Sequence, residues 1–217
     1  MLQIPSPNTD RSLLTIAELR SAAGVTGTAR DAELQVVGDA TAALITSACQ
    51  VKRVGAIPPT LRLEAVVETF ARPLVHSHLS LSVGRDGALW PSRLPIVSVE
   101  SVVESTRTLT TSDYQIDGAA LYRLSAGSRM HWCGHPIVVS YTAGFATVPA
   151  DLKWAAMKFV QAALIENGRD PLLKRKVTVG VSEYEWFVDL TKESVVPPEV
   201  MDILIRGGYA NRWAWMR

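Results

Sequence analysis

The sequence predicts an α+β protein: a helical bundle platform from the N- and C-terminal helices, with an antiparallel β-sandwich-like domain inserted between them. Three observations predict it. Apolar residues recur at three- and four-residue steps in the first fifty positions and again after Pro149, the mark of one buried helical face. From residue 59 to 146 the period shortens to two and turn-forming clusters come often, which indicates short antiparallel strands. Amphipathic helices at both ends bury their apolar faces most simply against each other. The expected domains are 1–58 (N-terminal helices of the platform), 59–146 (the inserted β domain) and 147–217 (C-terminal helices, an extended loop and a docking tail).

Each element has its own signal. Thr15-Ile16-Ala17-Glu18 fits a capping box, Leu14 and Leu19 occupy hydrophobic-staple positions, and Gly24 offers a left-handed stop. A second helix starts near Thr28-Ala29-Arg30-Asp31 and carries Leu34, Val37, Thr41, Leu44, Ile45 and Ala48 on one face; Gly55 and Pro58-Pro59 close the region. Leu61, Leu63, Ala65 and Val67 then alternate with mostly charged neighbours, as in a strand half buried on that apolar face, although Leu, Glu and Ala also favour helix. Further strands are expected at His76–Val83, Ile96–Val103, Tyr114–Ile116, Leu121–Leu124 and Ile137–Thr142, divided by turns such as Gly84-Arg85-Asp86-Gly87 and Asp117-Gly118. Pro149 and Asp151 open a helix that buries Leu152, Ala155, Ala156, Phe159, Ala163 and Leu164 and stops at Asn167-Gly168. Asp170–Asp189 reads as an extended loop or hairpin, and Pro197-Pro198-Glu199 opens a short last helix with Val200, Ile203 and Leu204, ending at Gly207-Gly208.

Composition narrows the function classes. The 217 residues include 22 basic and 21 acidic side chains, a formal charge of +1, too balanced for a protein whose main work is gripping nucleic acid. Two cysteines, Cys49 and Cys133, make no disulfide scaffold and suggest a reducing compartment. The first ten residues lack the basic start and apolar run of a signal peptide. The longest stretch free of Asp, Glu, Lys and Arg, Met130–Ala150, contains two prolines and two histidines and makes a poor bilayer helix.

A series of segments carries a family resemblance. Pro95-Ile96-Val97-Ser98-Val99 leads to Ser112-Asp113-Tyr114-Gln115-Ile116-Asp117 and Leu121-Tyr122-Arg123. Ile137-Val138-Val139-Ser140-Tyr141-Thr142-Ala143-Gly144-Phe145 follows, then Val148-Pro149-Ala150-Asp151-Leu152-Lys153-Trp154-Ala155. The series resembles the head–tail connector (adaptor) proteins of long-tailed bacteriophages and of the related gene transfer agents, most clearly from Pro95 to Gly168. The resemblance implies a structural virion protein without catalysis. It implies a homo-oligomeric ring, commonly twelvefold, that docks beneath the portal protein, extends the channel for passing double-stranded DNA, and offers a platform to the next neck or tail-completion protein. It also implies a place at the head–tail interface, with the host cytoplasm as the site of assembly and no membrane. Repeated head-to-tail contacts close into a ring when the rotation divides the circle.

Weighed against the chemistry of particular residues, this non-enzymatic reading is preferred, with no cofactor and no metal expected. His131-Trp132-Cys133-Gly134-His135, with His76 and His78, is the best metal-site candidate, and a small metal-dependent hydrolase using His131, Cys133 and His135 is the alternative; the spacing fits no common zinc pattern, and Gly134-His135-Pro136 reads as a turn. A β-sandwich binding module unrelated to virions is the other alternative. No Gly-x-Ser-x-Gly elbow occurs, Asp113 and Asp117 suit hairpin turns better than paired catalytic carboxylates, and Gly24-Val25-Thr26-Gly27 lacks the Gly-Lys-Ser/Thr ending of a phosphate loop. The tail residues Tyr209, Arg212, Trp213, Trp215 and Arg217 are of the types enriched at binding hot spots and are expected to dock on the portal or a neighbouring subunit. Lys174, Arg175 and Lys176, with Tyr184 and Trp186, are the expected ring or neck contact loop, facing a protein neighbour because strong phosphate binding would hinder DNA passage.

Overall fold

The computed structural model describes residues 1–71, 87–167 and 195–210, together with the backbone of two strands at 175–178 and 182–185. It is an α+β structure with four helices and antiparallel sheets among the described residues. These residues divide into two compact units. Met1–Arg11 and Gln50–Val148 form a β unit, and Ser12–Cys49 and Pro149–Asn211 a helical unit.

In the β unit, β1 (Leu2–Ser6), β2 (Glu64–Phe70), β3 (Ile96–Glu104), β4 (Arg107–Thr108) and β8 (Ile137–Ala143) make a five-stranded sheet in the order β1-β2-β8-β3-β4. The hairpins of β5 (Tyr114–Asp117), β6 (Ala120–Ser125) and β7 (Ser128–Met130) make a three-stranded sheet. All of these strand pairs are antiparallel. One apolar core draws on both sheets: Val66 and Phe70 from β2, Val102 from β3, Leu121 from β6, Ile137, Val139 and Tyr141 from β8, with Leu89 and Trp132 from connections. Two register shifts in β3, between Ile96 and Ser98 and between Val99 and Ser101, break its simple alternation of buried and exposed residues.

Two features differ from the sequence reading. The first is the phase of β2. Glu64, Val66, Glu68 and Phe70 are the buried residues, whereas Ala65 is exposed and Val67 half-buried. The alternation is real, but the strand turns its other face inward, because the two glutamates find partners there. The second is the N-terminus, taken with residues 1–58 as part of the platform. Leu2–Ser6 instead adds an edge strand to the β unit. Pro5 fits that edge: it lies where the register shifts between Gln3 and Ser6, and an edge or bulge needs no ladder N–H from it. The strand expected at His76–Val83 lies outside the described residues.

The helical unit contains α1 (Ile16–Ala23), α2 (Asp31–Ala48), α3 (Ala150–Asn167) and α4 (Pro198–Arg206). The capping box forms: Thr15 Oγ1 accepts from Glu18 N at 3.3 Å while Glu18 Oε2 accepts from Thr15 N at 2.7 Å. Gly24, at φ +65°, ends α1 in the left-handed conformation. α3 packs against α1, α2 and α4, and α1 against α2. Leu19, Leu34, Ile45, Leu152, Val160 and Leu204 are fully buried. The α1–α2 approach is close, since a Cβ on Gly38 would lie 2.9 Å from Leu19 Cδ1. Glu18 and Lys153 tie α1 to α3 at 2.7 Å. β9 (Arg175–Thr178) and β10 (Ser182–Glu185) pair antiparallel, so this part of Asp170–Asp189 is a strand pair.

Candidate functional site

Polar chemistry inside the β unit gathers at two carboxylate centres. Glu68, only 6% exposed, accepts from Ser92 N at 2.7 Å, from Tyr141 Oη at 3.0 Å and from the Ser92 hydroxyl. Glu64, 4% exposed, accepts from Asn8 N at 3.0 Å and faces the equally buried Arg93 guanidinium at 4.0 Å. Burial, together with the charge and hydrogen bond of Glu68, raises the pKa of the Tyr141 phenol well above its ordinary value. The cluster ties Asn8, just after β1, the Ser92–Arg93 segment and the middle of the sheet together. It braces the fold: both Glu68 oxygens accept hydrogen bonds, whereas Glu64 accepts through Oε1 and turns Oε2 to the Arg93 guanidinium without a hydrogen bond.

The second centre is Glu104 at the end of β3. Its Oε1 accepts from Cys133 N at 2.6 Å and Gly134 N at 3.0 Å, and its Oε2 accepts from Arg123 Nε at 3.0 Å. Burial alone would raise the Glu104 pKa, but the Gly134 and Cys133 amides and the Arg123 guanidinium outweigh it and hold the carboxyl below its ordinary value. Arg123 also donates to the carbonyls of Asp113 and Leu124. Thus the His131–His135 segment is held through backbone amides. Cys133 Sγ sits 3.5 Å from the His131 carbonyl, and among the described residues no three His, Cys, Asp or Glu side chains converge as a metal site. His76 and His78 lie outside the described residues. Asp113 accepts from Thr110 N and Oγ1, both at 2.9 Å, and Asp117 pairs with Arg129 at 2.6 Å; each belongs to its own turn or hairpin.

The helical unit offers a different kind of place. Trp154 on α3 is 52% exposed, with the Lys158 ammonium 4.9 Å from its ring centre. At the far end of α4, Gly208 N donates to Ile205 O at 3.0 Å and Tyr209 N to Leu204 O at 2.8 Å. With Gly208 at φ +76° these bonds make a Schellman motif. Tyr209 Oη then donates to Asp151 Oδ1 at 2.7 Å, in the first turn of α3. Burial and the Asp151 carboxylate raise the phenol pKa.

Of the expected docking residues, Tyr209 is therefore seated on the helical unit, while Arg212, Trp213, Trp215 and Arg217 lie outside the described residues. Lys174 and Trp186 do too. Arg175 and Lys176 fall in β9 and Tyr184 in β10, with Tyr184 opposite Lys176 and Glu185 opposite Arg175. Sequence reasoning missed the Glu64–Glu68–Arg93 brace. The signal was two glutamates four apart in a strand pattern, which put both on one face. No helix among the described residues is long and apolar enough to cross a membrane.

No known protein family matches this sequence, and no curated protein does. Solved structures do. A chain in the virion of a native gene transfer agent particle aligns with 80% of this chain and 88% of its own, at 18% identity and a TM-score of 0.48. A chain in the neck of an empty gene transfer agent particle, computed with C6 symmetry, aligns with 80% of this chain and 87% of its own, at 17% identity and a TM-score of 0.50. Over most of both chains, the fold assembled above from its strands and helices is similar to that of a chain in a gene transfer agent neck.

Proposed function

We propose that this chain is a structural virion protein of the neck, a head–tail connector subunit of a tailed phage or gene transfer agent. The observation that carries the reading is the fold shared with a chain of the gene transfer agent neck over most of both chains. The polar centres agree with it: Glu68 and Glu104 spend their lone pairs on bracing the fold. The subunits close into a ring of helical platforms side by side, each chain carrying its β unit as an inserted two-sheet sandwich. The ring sits under the portal protein, surrounds passing double-stranded DNA without reading its sequence, and receives the next neck protein. Arg212, Trp213, Trp215 and Arg217, with Tyr209 at their root, dock on the portal or on a neighbouring subunit, and Lys174, Arg175, Lys176, Tyr184 and Trp186 make ring or neck contacts. Many weak contacts around one axis reinforce one another once a template holds the copies together.

The test is to add the purified protein to portal-bearing heads that lack it and image the portal vertex. A ring of added density beneath the portal is the expected result. Portal vertices that stay bare at saturating protein overturn the proposal.

A further inference from the structure

The end of α4 holds more than a helix stop. Gly208 already supplies the left-handed residue that the Schellman motif requires. Gly207, at φ −72°, has a conformation open to any residue, so the backbone does not explain why it is glycine. Space does. A Cβ there would lie 2.5 Å from Cε2 and 2.7 Å from Cδ2 of the Tyr209 ring, and 3.1 Å from Asp151 Oδ2. The ring is seated against the bare glycine, its hydroxyl bonds Asp151 at 2.7 Å, and the amides of Tyr209 and Ala210 both donate to the Leu204 carbonyl, at 2.8 and 3.1 Å. Asp151 Oδ1 also accepts from Leu152 N at 2.9 Å, so the acceptor is held in place before the tyrosine reaches it.

We propose that Tyr209 is a positioning latch for the C-terminal segment. With its ring on Gly207 and its hydroxyl on Asp151, it anchors the root of Asn211–Arg217, so that Arg212, Trp213, Trp215 and Arg217 reach their partner from a fixed point on the helical unit. The inference rests on the reading of that segment as a docking tail. Its physical basis is entropy. Two consecutive glycines would otherwise act as a swivel, and ordering a swivelling segment on binding costs affinity that an anchored root retains.

The test compares the full chain, Tyr209→Phe, Gly207→Ala and a chain ending at Ala210, by amide exchange over residues 205–210 and by titration onto portal-bearing heads. Tyr209→Phe keeps the ring and loses only the hydroxyl, so it reports on the latch even if Gly207→Ala disturbs the helix end. The expected result is faster exchange at Tyr209 and Ala210 and docking weakened about three- to tenfold, the range of one lost hydrogen bond, with the thermal midpoint of Tyr209→Phe near that of the full chain. If the shortened chain fails to dock while both substituted chains dock with full affinity, the latch is overturned and the docking tail stands. If the shortened chain docks as well as the full one, the docking tail itself is overturned, and the latch with it.

Discussion

Removing the Glu104 carboxylate is the sharpest perturbation of the β unit. Its side chain is 8% exposed and that of Arg123 7%, and together they join the end of β3, strand β6 and the Cys133–Gly134 backbone. Glu104→Ala leaves the buried guanidinium with only the longer contact to the part-exposed Asp113 carboxylate at 3.5 Å, and strands two backbone amides. Loss of one partner of a buried ion pair costs about 3–5 kcal/mol. With a urea slope of about 2 kcal/mol per molar, the unfolding midpoint of the β unit falls by roughly 1.5–2.5 M. The assay is urea unfolding read by amide exchange in β8, the strand at the middle of the sheet. Arg123→Met and the double variant complete a cycle: the double variant should lose clearly less than the sum of the two single losses, because removing both charges leaves neither buried alone. The folded carboxyl titrates below its unfolded value, so its contribution is fully present above the unfolded pKa of about 4.3 and disappears as pH falls through the lower folded value. A loss under about 1 kcal/mol for Glu104→Ala, or an additive cycle, would refute the assignment of this pair as a buried brace.

Three other substitutions or probes test separate parts of the structure. Glu68→Ala should destabilise the β unit by about 3 kcal/mol or more, since Ser92 and Tyr141 lose a charged acceptor; a midpoint in urea unchanged from the parent would show that the carboxylate is not what braces the sheet. Gly144→Ala should cost more than about 2 kcal/mol, because Gly144 has φ +103° and a Cβ would lie 2.4 Å from the Arg62 carbonyl oxygen; a variant with parental thermal stability contradicts that close approach. In the folded protein at pH 8 a thiol reagent should label Cys133, which is exposed, and spare Cys49, whose thiol burial pushes up to about 12; equal labelling rates for the two would show the helical core to be open there.

Local rules were enough for the helices. Thr15 and Glu18 form the capping box their spacing implies, Gly24 takes the left-handed stop, and Leu152, Ala155, Ala156 and Phe159 are the buried face of α3. These signals are legible because a cap or a helical stripe depends on residues within four positions of each other. The C-terminal residues proposed to dock stand out in the sequence only as residue types, Trp213, Trp215 and the arginines; the seat of Tyr209 on Gly207 and Asp151 joins residues 58 apart, which no local pattern reports.

Tertiary structure alone decided the rest. The sequence by itself determined that Leu61–Glu68 alternates, yet the fold chose which face went inward, and it chose the face with Glu64 and Glu68. Hydrophobicity ranks a lone glutamate as an outward residue. The fold inverts that ranking only because Arg93, Ser92 and Tyr141, distant in the chain, converge to satisfy the charge. The same holds for the edge strand at Leu2–Ser6, whose partner β2 lies some sixty residues onward. Composition and periodicity record what a residue prefers when its surroundings are average. They cannot record partners that arrive only when distant segments are folded together.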